Sequence, residues 1–207
     1  LRENAVKKLK LLEGCREHGA GLVYPSTVRV AVDPPPDEYA LSKRLGEEVC
    51  RLHHAPAAVL RLTSVFGPGQ VAWDGATGAI AAFAARALDS APIVIPGNPG
   101  RTRDFVYVDD VVLAVEQLVA AGSWNETLLL AAGTSTPLLR AAELVRAAAG
   151  SSSPIELPGG ELPRGEDESY EAPPGTRLDR VRPLEEAIAD YVDWLRSYRR
   201  HQAGTVG

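Results

Sequence analysis

Apolar residues follow two patterns that alternate along the chain. In the first pattern they recur every three or four positions, which is the spacing of one face of an amphipathic helix. This spacing predicts helices over 3–18, 38–54, 78–90, 137–149 and 183–200, and a further helix that opens with Asp109 and Asp110. The acidic pair suits a helix N-terminus, where backbone N–H groups carry partial positive charge.

The second pattern consists of short apolar runs at 22–24, 57–62, 92–96, 105–108 and 128–131. These runs predict buried strands of a parallel sheet, because helices cover both faces of such a sheet. Residues 151–182 are rich in proline, glycine and acidic side chains, which predicts a loop. Since strands and helices alternate, the predicted fold class is α/β with a parallel sheet.

The sequence also predicts how single helices begin and what they bury. Asp37 can cap the 38–54 helix, and Thr136 with Pro137 can cap the 137–149 helix. One face of the 38–54 helix carries an apolar stripe, formed by Leu41, Leu45, Val49 and Leu52. This stripe could pack within the chain or against a second copy, and the sequence leaves both possibilities open.

Composition and charge exclude several classes of protein and of binding partner. Hydrophobic residues make up 45% of the 207 and charged residues 24%, which excludes a disordered or fibrous chain. The net charge is −5 with no long basic run, so nucleic acid is not an expected partner. No apolar stretch is long enough to span a membrane, and no signal-peptide pattern opens the chain. Cys15 and Cys50 lack metal-ligand spacing, so we expect two reduced thiols, a cytoplasmic protein and no metal site.

Tyr39 and Lys43 carry the strongest chemical signal. Four residues apart on a predicted helix, they lie one above the other on the same face. A phenol ionises near pH 10, and a nearby ammonium lowers that pKa by stabilising the phenolate. Such a pair can move a proton on or off a substrate hydroxyl. An exposed pair on a solvated helix would have the same spacing.

Two hydroxyl side chains, Ser26 and Thr27, follow the strand predicted at 22–24. The C-terminal end of a parallel strand is where ligands bind in open α/β sheets, so either hydroxyl could bond the reacting oxygen beside Tyr39. A simple turn at the strand end is the alternative for each.

Six ordered segments over 4–196 resemble the extended short-chain dehydrogenase/reductase family, of the NAD-dependent nucleotide-sugar epimerase/dehydratase type. The 39–43 segment (YALSK) fits the family's YxxxK signature, and 101–111 (RTRDFVYVDDV) is close to its R-D-[FY]-[VI]-x-V-x-D-[VL] stretch. The other four segments are 4–13 (NAVKKLKLLE), 22–30 (LVYPSTVRV, the catalytic strand), 61–70 (RLTSVFGPGQ) and 162–166 (LPRGE).

The resemblance implies a Rossmann-like doubly wound parallel sheet, with its N-terminal part missing, and a smaller C-terminal α/β substrate-binding region. It places the end of the dinucleotide-binding domain at 1–70 and a mainly substrate-binding region at 71–200. It also implies a homodimer built from the helices at 3–18 and 38–54. The sequence itself predicts that the tail after Arg200, at 201–207, is frayed and flexible.

The resemblance further implies roles for single residues, carried over where positions match. The catalytic group would be Tyr39 as acid/base with Lys43, Thr27 and Ser26. The residues that contact NAD at its nicotinamide end would be Tyr39, Lys43, Leu62, Thr63 and Val65. The residues that contact the nucleotide-sugar would be Ser64, Arg103 and Arg164, although either arginine could instead form a surface salt bridge.

The chain departs from the family in three places. The glycine-rich G-x-x-G-x-x-G turn, which binds the cofactor pyrophosphate, is absent. The chain begins at Leu1 and contains no methionine, so we expect roughly ninety further family residues upstream. The stretch between Thr27 and Tyr39 is short, and Val28 and Arg29 stand where related dehydratases and decarboxylases have acidic residues, which argues against elimination chemistry.

Together these features predict an NAD-dependent epimerase, foremost a 4-epimerase, acting on a UDP- or TDP-sugar. An NAD(P)-dependent nucleotide-sugar reductase or dehydrogenase is one alternative, and net turnover of NAD(P)H would favour it. A truncated, non-catalytic binding protein of the same family is the other, and it predicts no bound dinucleotide.

Overall fold

A computed structural model describes residues 7–53, 55–73, 78–162, 169–170, 175 and 178–204. Strands and helices alternate in it, which confirms the predicted α/β class. In chain order the elements are α1 (Lys7–His18), β1 (Leu22–Thr27), a 3-10 helix (Val28–Ala31), α2 (Glu38–Leu52), β2 (Ala57–Leu62), β3 (Ser64–Phe66), α3 (Ala79–Leu88), β4 (Ile93–Pro96), β5 (Thr102–Tyr107), α4 (Val108–Ala121), β6 (Thr127–Leu130), β7 (Ser135–Pro137), α5 (Leu138–Ala148), β8 (Ile155–Gly159) and α6 (Leu184–Gly204).

The chain divides into two compact units that are interleaved in sequence. The first unit comprises 1–63, 111–133 and 172–179, and the second comprises 64–110, 134–171 and 180–207. The assignment of a dinucleotide-binding region to 1–70 and a substrate-binding region to 71–200 stays a prediction.

The first unit is built on a parallel three-stranded sheet in the order β1-β2-β6. Thr27 lies opposite Leu62, so β1 and β2 end at the same edge of the sheet. Successive residues of a strand point to opposite faces, and each face carries its own core. The core on one side, shared with α1 and α2, includes Leu12, Tyr24, Cys50 and Val59. The core on the other side, shared with α4, includes Ala58, Leu60, Leu118 and Leu130.

The second unit contains two small sheets and one large apolar core. β5 pairs in parallel with β3 and antiparallel with β7, while β4 and β8 form a parallel pair. Helices α3, α5 and α6 surround a core whose fully buried members include Ile80, Ile93, Val145, Ile188 and Leu195. Each such side chain contributes about 1.5–3 kcal/mol by leaving water, so this core is the main source of the unit's stability.

The loop predicted over 151–182 is wrong at 155–159, where β8 pairs with β4. Ile155 is half-buried and the other residues of β8 are exposed, so the strand carries no apolar run that could reveal it. The predicted fraying after Arg200 is also wrong in part, because α6 continues to Gly204. Residues 205–207 lie outside the described residues.

Two predicted element ends are corrected by the structure. Thr136 does not cap α5, because it belongs to β7 and the cap residue, Pro137, makes no side-chain hydrogen bond. The strand at 22–30 ends at Thr27, where the threonine hydroxyl accepts a hydrogen bond from the Arg29 N–H and starts a 3-10 helix.

α2 buries a face of small and polar residues and leaves its three leucines partly exposed. The buried positions are Ala40, Ser42, Gly46, Glu47 and Cys50. Of the predicted apolar stripe, Leu41, Leu45 and Leu52 are exposed, and Val49 packs on the core of the first unit. The three leucines therefore leave apolar surface exposed on this helix, most of all at Leu52.

Candidate active site

The start of α2 is fixed by Asp37, as the sequence predicts. The Ala40 N–H donates to the Asp37 carboxylate at 2.7 Å, which caps the first turn of the helix. The same carboxylate pairs with the guanidinium of Arg29. The Arg29–Asp37 pair therefore joins the helical turn that carries Tyr39 to the 3-10 helix.

Lys43 brings the helix and the end of β1 together. Its ammonium donates to the Pro25 carbonyl at 2.8 Å and lies 5.7 Å from the centre of the Tyr39 ring. The same ammonium lies 5.4 Å from the ring of Tyr24, whose hydroxyl donates to the Lys43 carbonyl at 3.3 Å. The two predicted site residues of α2 thus share one face, and Tyr39 remains 48% exposed, so a ligand can reach it.

The surroundings of the pair determine its protonation. Burial raises the pKa of Tyr39, the guanidinium of Arg29 lowers it, and the carboxylate of Asp37 raises it. Burial lowers the pKa of Lys43, and the ammonium of Lys8 adds to that effect. Since the ordinary pKa of a phenol is near 10, Tyr39 is a neutral phenol at pH 7 and holds a proton that it can give.

The two hydroxyls at the end of β1 differ in their contacts. Ser26 is 3% exposed, and its hydroxyl donates to the Glu47 carboxylate at 2.5 Å. The Thr27 oxygen accepts from the Arg29 N–H at 3.3 Å. In this bond the Thr27 oxygen is the acceptor, so the hydroxyl proton stays available for another acceptor. Ser26 ties β1 to α2, whereas Thr27 can donate to a ligand.

Glu47 is the residue that the sequence reasoning missed. It is 2% exposed, and besides Ser26 it accepts hydrogen bonds from Arg61 of β2, the shortest at 2.7 Å. The hydrogen bond from the Arg61 guanidinium to Glu47 raises the pKa of Arg61. The available signal was the four-residue interval that continues from Tyr39 through Lys43 to Glu47, which places all three on one face of a helix.

The predicted cofactor residues divide between the two units. In the first unit, Leu62 ends β2 opposite Thr27, and Thr63 follows it, so both lie at the strand edge beside Thr27. In the second unit, Val65 of β3 lies opposite Val106 of β5.

The predicted substrate residues fall in the second unit. Ser64 lies opposite Phe105, two residues along β5 from Arg103. The Arg103 guanidinium donates to the Thr102 carbonyl at 2.8 Å and lies 4.9 Å from the Tyr170 ring. Arg164 lies outside the described residues.

Two further observations concern the described residues alone. No group of three or more His, Cys, Asp or Glu side chains is arranged there to hold a metal ion. None of the helices found there is long and apolar enough to cross a membrane.

A tyrosine and a lysine one turn apart, set beside hydroxyls at the end of a parallel strand, define the short-chain dehydrogenase/reductase class of site. The sequence profile that matches residues 1–130 is that of the NAD dependent epimerase/dehydratase family, and this match covers more than half of the chain. The chain therefore belongs to the NAD-dependent epimerase/dehydratase family.

Relatives with named activities are similar to this chain at low identity. A dTDP-L-rhamnose 4-epimerase of Burkholderia thailandensis is 31% identical over 125 residues, which cover 58% of this chain and 34% of that protein. A dTDP-4-dehydro-6-deoxy-D-allose reductase of Streptomyces bikiniensis is 28% identical over 172 residues, which cover 78% and 51%. The chain spans about half or less of the length of these relatives.

The fold is similar to that of solved epimerases. The UDP-glucose 4-epimerase of Thermus thermophilus, crystallised in complex with NAD, matches with a TM-score of 0.77 and 27% identity. That match covers 93% of this chain and 70% of the crystallised one. It confirms the Rossmann-like architecture predicted from the sequence.

Proposed function

We propose that this chain carries the acid/base site of an NAD-dependent nucleotide-sugar epimerase, foremost a 4-epimerase acting on a UDP- or TDP-sugar. The observation that supports this most is that the Lys43 ammonium lies 5.7 Å from the centre of the Tyr39 ring and bonds the Pro25 carbonyl, two residues before Thr27 at the end of β1. Crossing from one epimer to the other requires a group that takes a hydroxyl proton and later returns it, and a reachable tyrosine meets that requirement by taking the proton as its phenolate and returning it as its phenol.

In this proposal Tyr39 moves the proton, and its neighbours hold the reacting oxygen. Thr27 donates its hydroxyl proton to that oxygen, because its own oxygen already accepts from Arg29. Lys43 favours the phenolate whenever Tyr39 has given up its proton. Ser26, bonded to Glu47, keeps the end of β1 at a fixed distance from α2.

The residues present fit the nicotinamide and ribose end of NAD. Lys43 offers an ammonium, which can donate to ribose hydroxyls as well as to the Pro25 carbonyl that accepts from it here. Leu62 and Thr63 lie at the strand edge where doubly wound sheets bind their ligands. When bound, NAD supplies the acceptor and later the donor of hydride.

For the nucleotide diphosphate we propose Ser64, Arg103 and Arg164 as ligands. A guanidinium donates in pairs to phosphate oxygens, so an arginine is suited to this task. Arg103 now rests on the Tyr170 ring and on the Thr102 carbonyl, from which a phosphate could displace it.

We also propose that the exposed leucines of α2 meet a second copy of the chain. Leu41, Leu45 and Leu52 are exposed on this helix, and α1 adds the exposed Leu9 and Leu11. Leu45→Glu should convert a dimer to a monomer in size-exclusion chromatography with light scattering. Val119→Glu, at an equally apolar exposed position on α4, serves as the control and should leave the dimer intact.

A reductase is the second candidate, favoured by the 28% identity to the allose reductase of Streptomyces bikiniensis. Both reactions can use the same tyrosine and lysine, but only a reductase consumes NAD(P)H in proportion to product.

The deciding assay uses protein expressed from the whole open reading frame that encodes this chain. UDP-glucose and dTDP-sugars are supplied with NAD, and products are identified by NMR. The proposal expects a C4 epimer with no net change in NADH absorbance. Net oxidation of NAD(P)H would indicate the reductase, and absence of both turnover and bound dinucleotide would indicate a binding protein.

A further inference from the structure

We propose that Arg29 is a second activating cation of this site, a positioning residue that acts through Tyr39 and is itself held by Asp37. The effect of Arg29 on the pKa of Tyr39 does not depend on the proposed function, whereas the consequence of that effect for catalysis rests on it. The geometric basis of the inference is that the Arg29 guanidinium lies 5.9 Å from the centre of the Tyr39 ring, about as near as the Lys43 ammonium at 5.7 Å.

The local fold explains why Arg29 reaches the phenol. β1 ends at Thr27, whose side chain accepts from the Arg29 N–H and turns the chain into the 3-10 helix. Arg44 of α2 then holds the following segment, donating to the Val30 and Val32 carbonyls at 2.7 Å each. The side chain of Arg29 is therefore directed from a short segment that is hydrogen-bonded to the end of β1 at its start and to α2 at its end.

Asp37 connects Arg29 to the helix that carries Tyr39. The carboxylate both caps α2 and pairs with the guanidinium, and the two side chains are only 22% and 29% exposed. Partial burial matters because water screens charges less well there than on an open surface. The ion pair thus fixes a cation next to the phenol in a partly shielded position.

Four groups in the described part of the chain face the Tyr39 phenol. Arg29 faces it from the 3-10 helix, Asp37 and Lys43 from α2, and the neutral Tyr24 from β1. Arg29 lowers the pKa of Tyr39 and Asp37 raises it. The Lys43 ammonium is engaged by the Pro25 carbonyl at 2.8 Å. The guanidinium is therefore a second cation, beside that of Lys43, placed to favour the phenolate.

The test is the titration of Tyr39 itself, which needs neither substrate nor cofactor. All six tyrosines are replaced by 3-fluorotyrosine, a more acidic analogue, and followed by fluorine NMR, with Tyr39→Phe identifying the signal. Arg29→Gln should raise the pKa of this residue by roughly 0.5 to 1, the effect expected for loss of one partly screened charge at this distance.

Asp37→Asn should have the opposite effect. Asparagine caps helices as well as aspartate does, so the helix start is kept while the charge is lost and the pKa of Tyr39 falls. Arg51→Gln removes the same charge from the exposed side of α2 and should leave the titration unchanged. If Arg29→Gln does not fold, Arg29→Lys, which keeps the charge, takes its place. The pKa of Tyr39 in Arg29→Lys should then stay close to that in the unsubstituted protein, while the pKa in Asp37→Asn should still fall.

The inference is overturned if Arg29→Gln leaves the Tyr39 titration unchanged or lowers it, or if Arg29→Gln and Asp37→Asn shift it in the same direction. In protein from the whole open reading frame, the pKa of the acidic limb of the pH–rate profile should rise in Arg29→Gln and fall in Asp37→Asn. Opposite shifts in an inactive protein would uphold the inference about Arg29 and refute the proposed function alone.

Discussion

Replacing Glu47 by glutamine removes a charge that the first unit buries almost completely. Breaking a buried ion pair typically costs about 3–5 kcal/mol, because the remaining partner loses its compensation. Arg61 is 33% exposed, so water can solvate part of its charge, and the glutamine carbonyl can still accept one hydrogen bond. We therefore expect Glu47→Gln to lower the free energy of unfolding by about 2 kcal/mol.

The neighbouring residue provides a matched control. Glu48 pairs with Arg51 at 2.6 Å on the exposed side of the same helix, so Glu48→Gln removes an identical charge and should cost less than about 0.5 kcal/mol. Urea unfolding can be followed by the fluorescence of Trp124, which belongs to the same unit, with Trp73 and Trp194 replaced by phenylalanine. Glu47→Gln should lower the midpoint by about 1 M urea. Equal midpoints for Glu47→Gln and Glu48→Gln would show that the buried Glu47–Arg61 pair stabilises the unit no more than the exposed Glu48–Arg51 pair.

Three further outcomes follow from the structure. Burial raises the pKa of Tyr24 and Tyr191 above the unfolded value near 10, so their stabilising contribution is complete below that pH and is lost as the pH rises further. The free energy of unfolding should fall above about pH 10, and less steeply in Tyr24→Phe. Gly21→Ala would drive a methyl group into the Trp124 ring and should cost about 1–3 kcal/mol by urea unfolding, relieved by Trp124→Leu. Ile188→Ala, at a fully buried position, should cost about 2–4 kcal/mol, and a cost below about 1 kcal/mol would contradict the described core.

The elements that the sequence predicted well are those with strong apolar periodicity. The spacing of Leu12 and Cys15 indicates the buried face of α1, and the run at 57–62 indicates β2, because burial on one or both faces leaves a direct trace in the sequence. β8 was not predicted, because four of its five residues are exposed and it forms a strand only through backbone pairing with β4.

In the candidate site, too, the sequence predicted the residues whose relation is local and missed those that the fold brings together. Tyr39 and Lys43 were predicted because their interval is local and corresponds to one helical turn. The contacts of Glu47 with Ser26 and Arg61 join residues 21 and 14 positions away, and the pairing of strands sets them. The contact of Arg29 with the Tyr39 ring depends on a 3-10 helix of four residues, which no apolar periodicity in the sequence predicts.

The most direct test of the account is the activity of Tyr39→Phe in protein expressed from the whole open reading frame, measured by NMR with the nucleotide-sugar that the unsubstituted protein converts. Phenylalanine keeps the ring and removes the hydroxyl that would carry the proton. We expect kcat to fall by a factor of roughly 10²–10⁴ while the fold is retained. Turnover at the unsubstituted rate would show that the proton moves through another group.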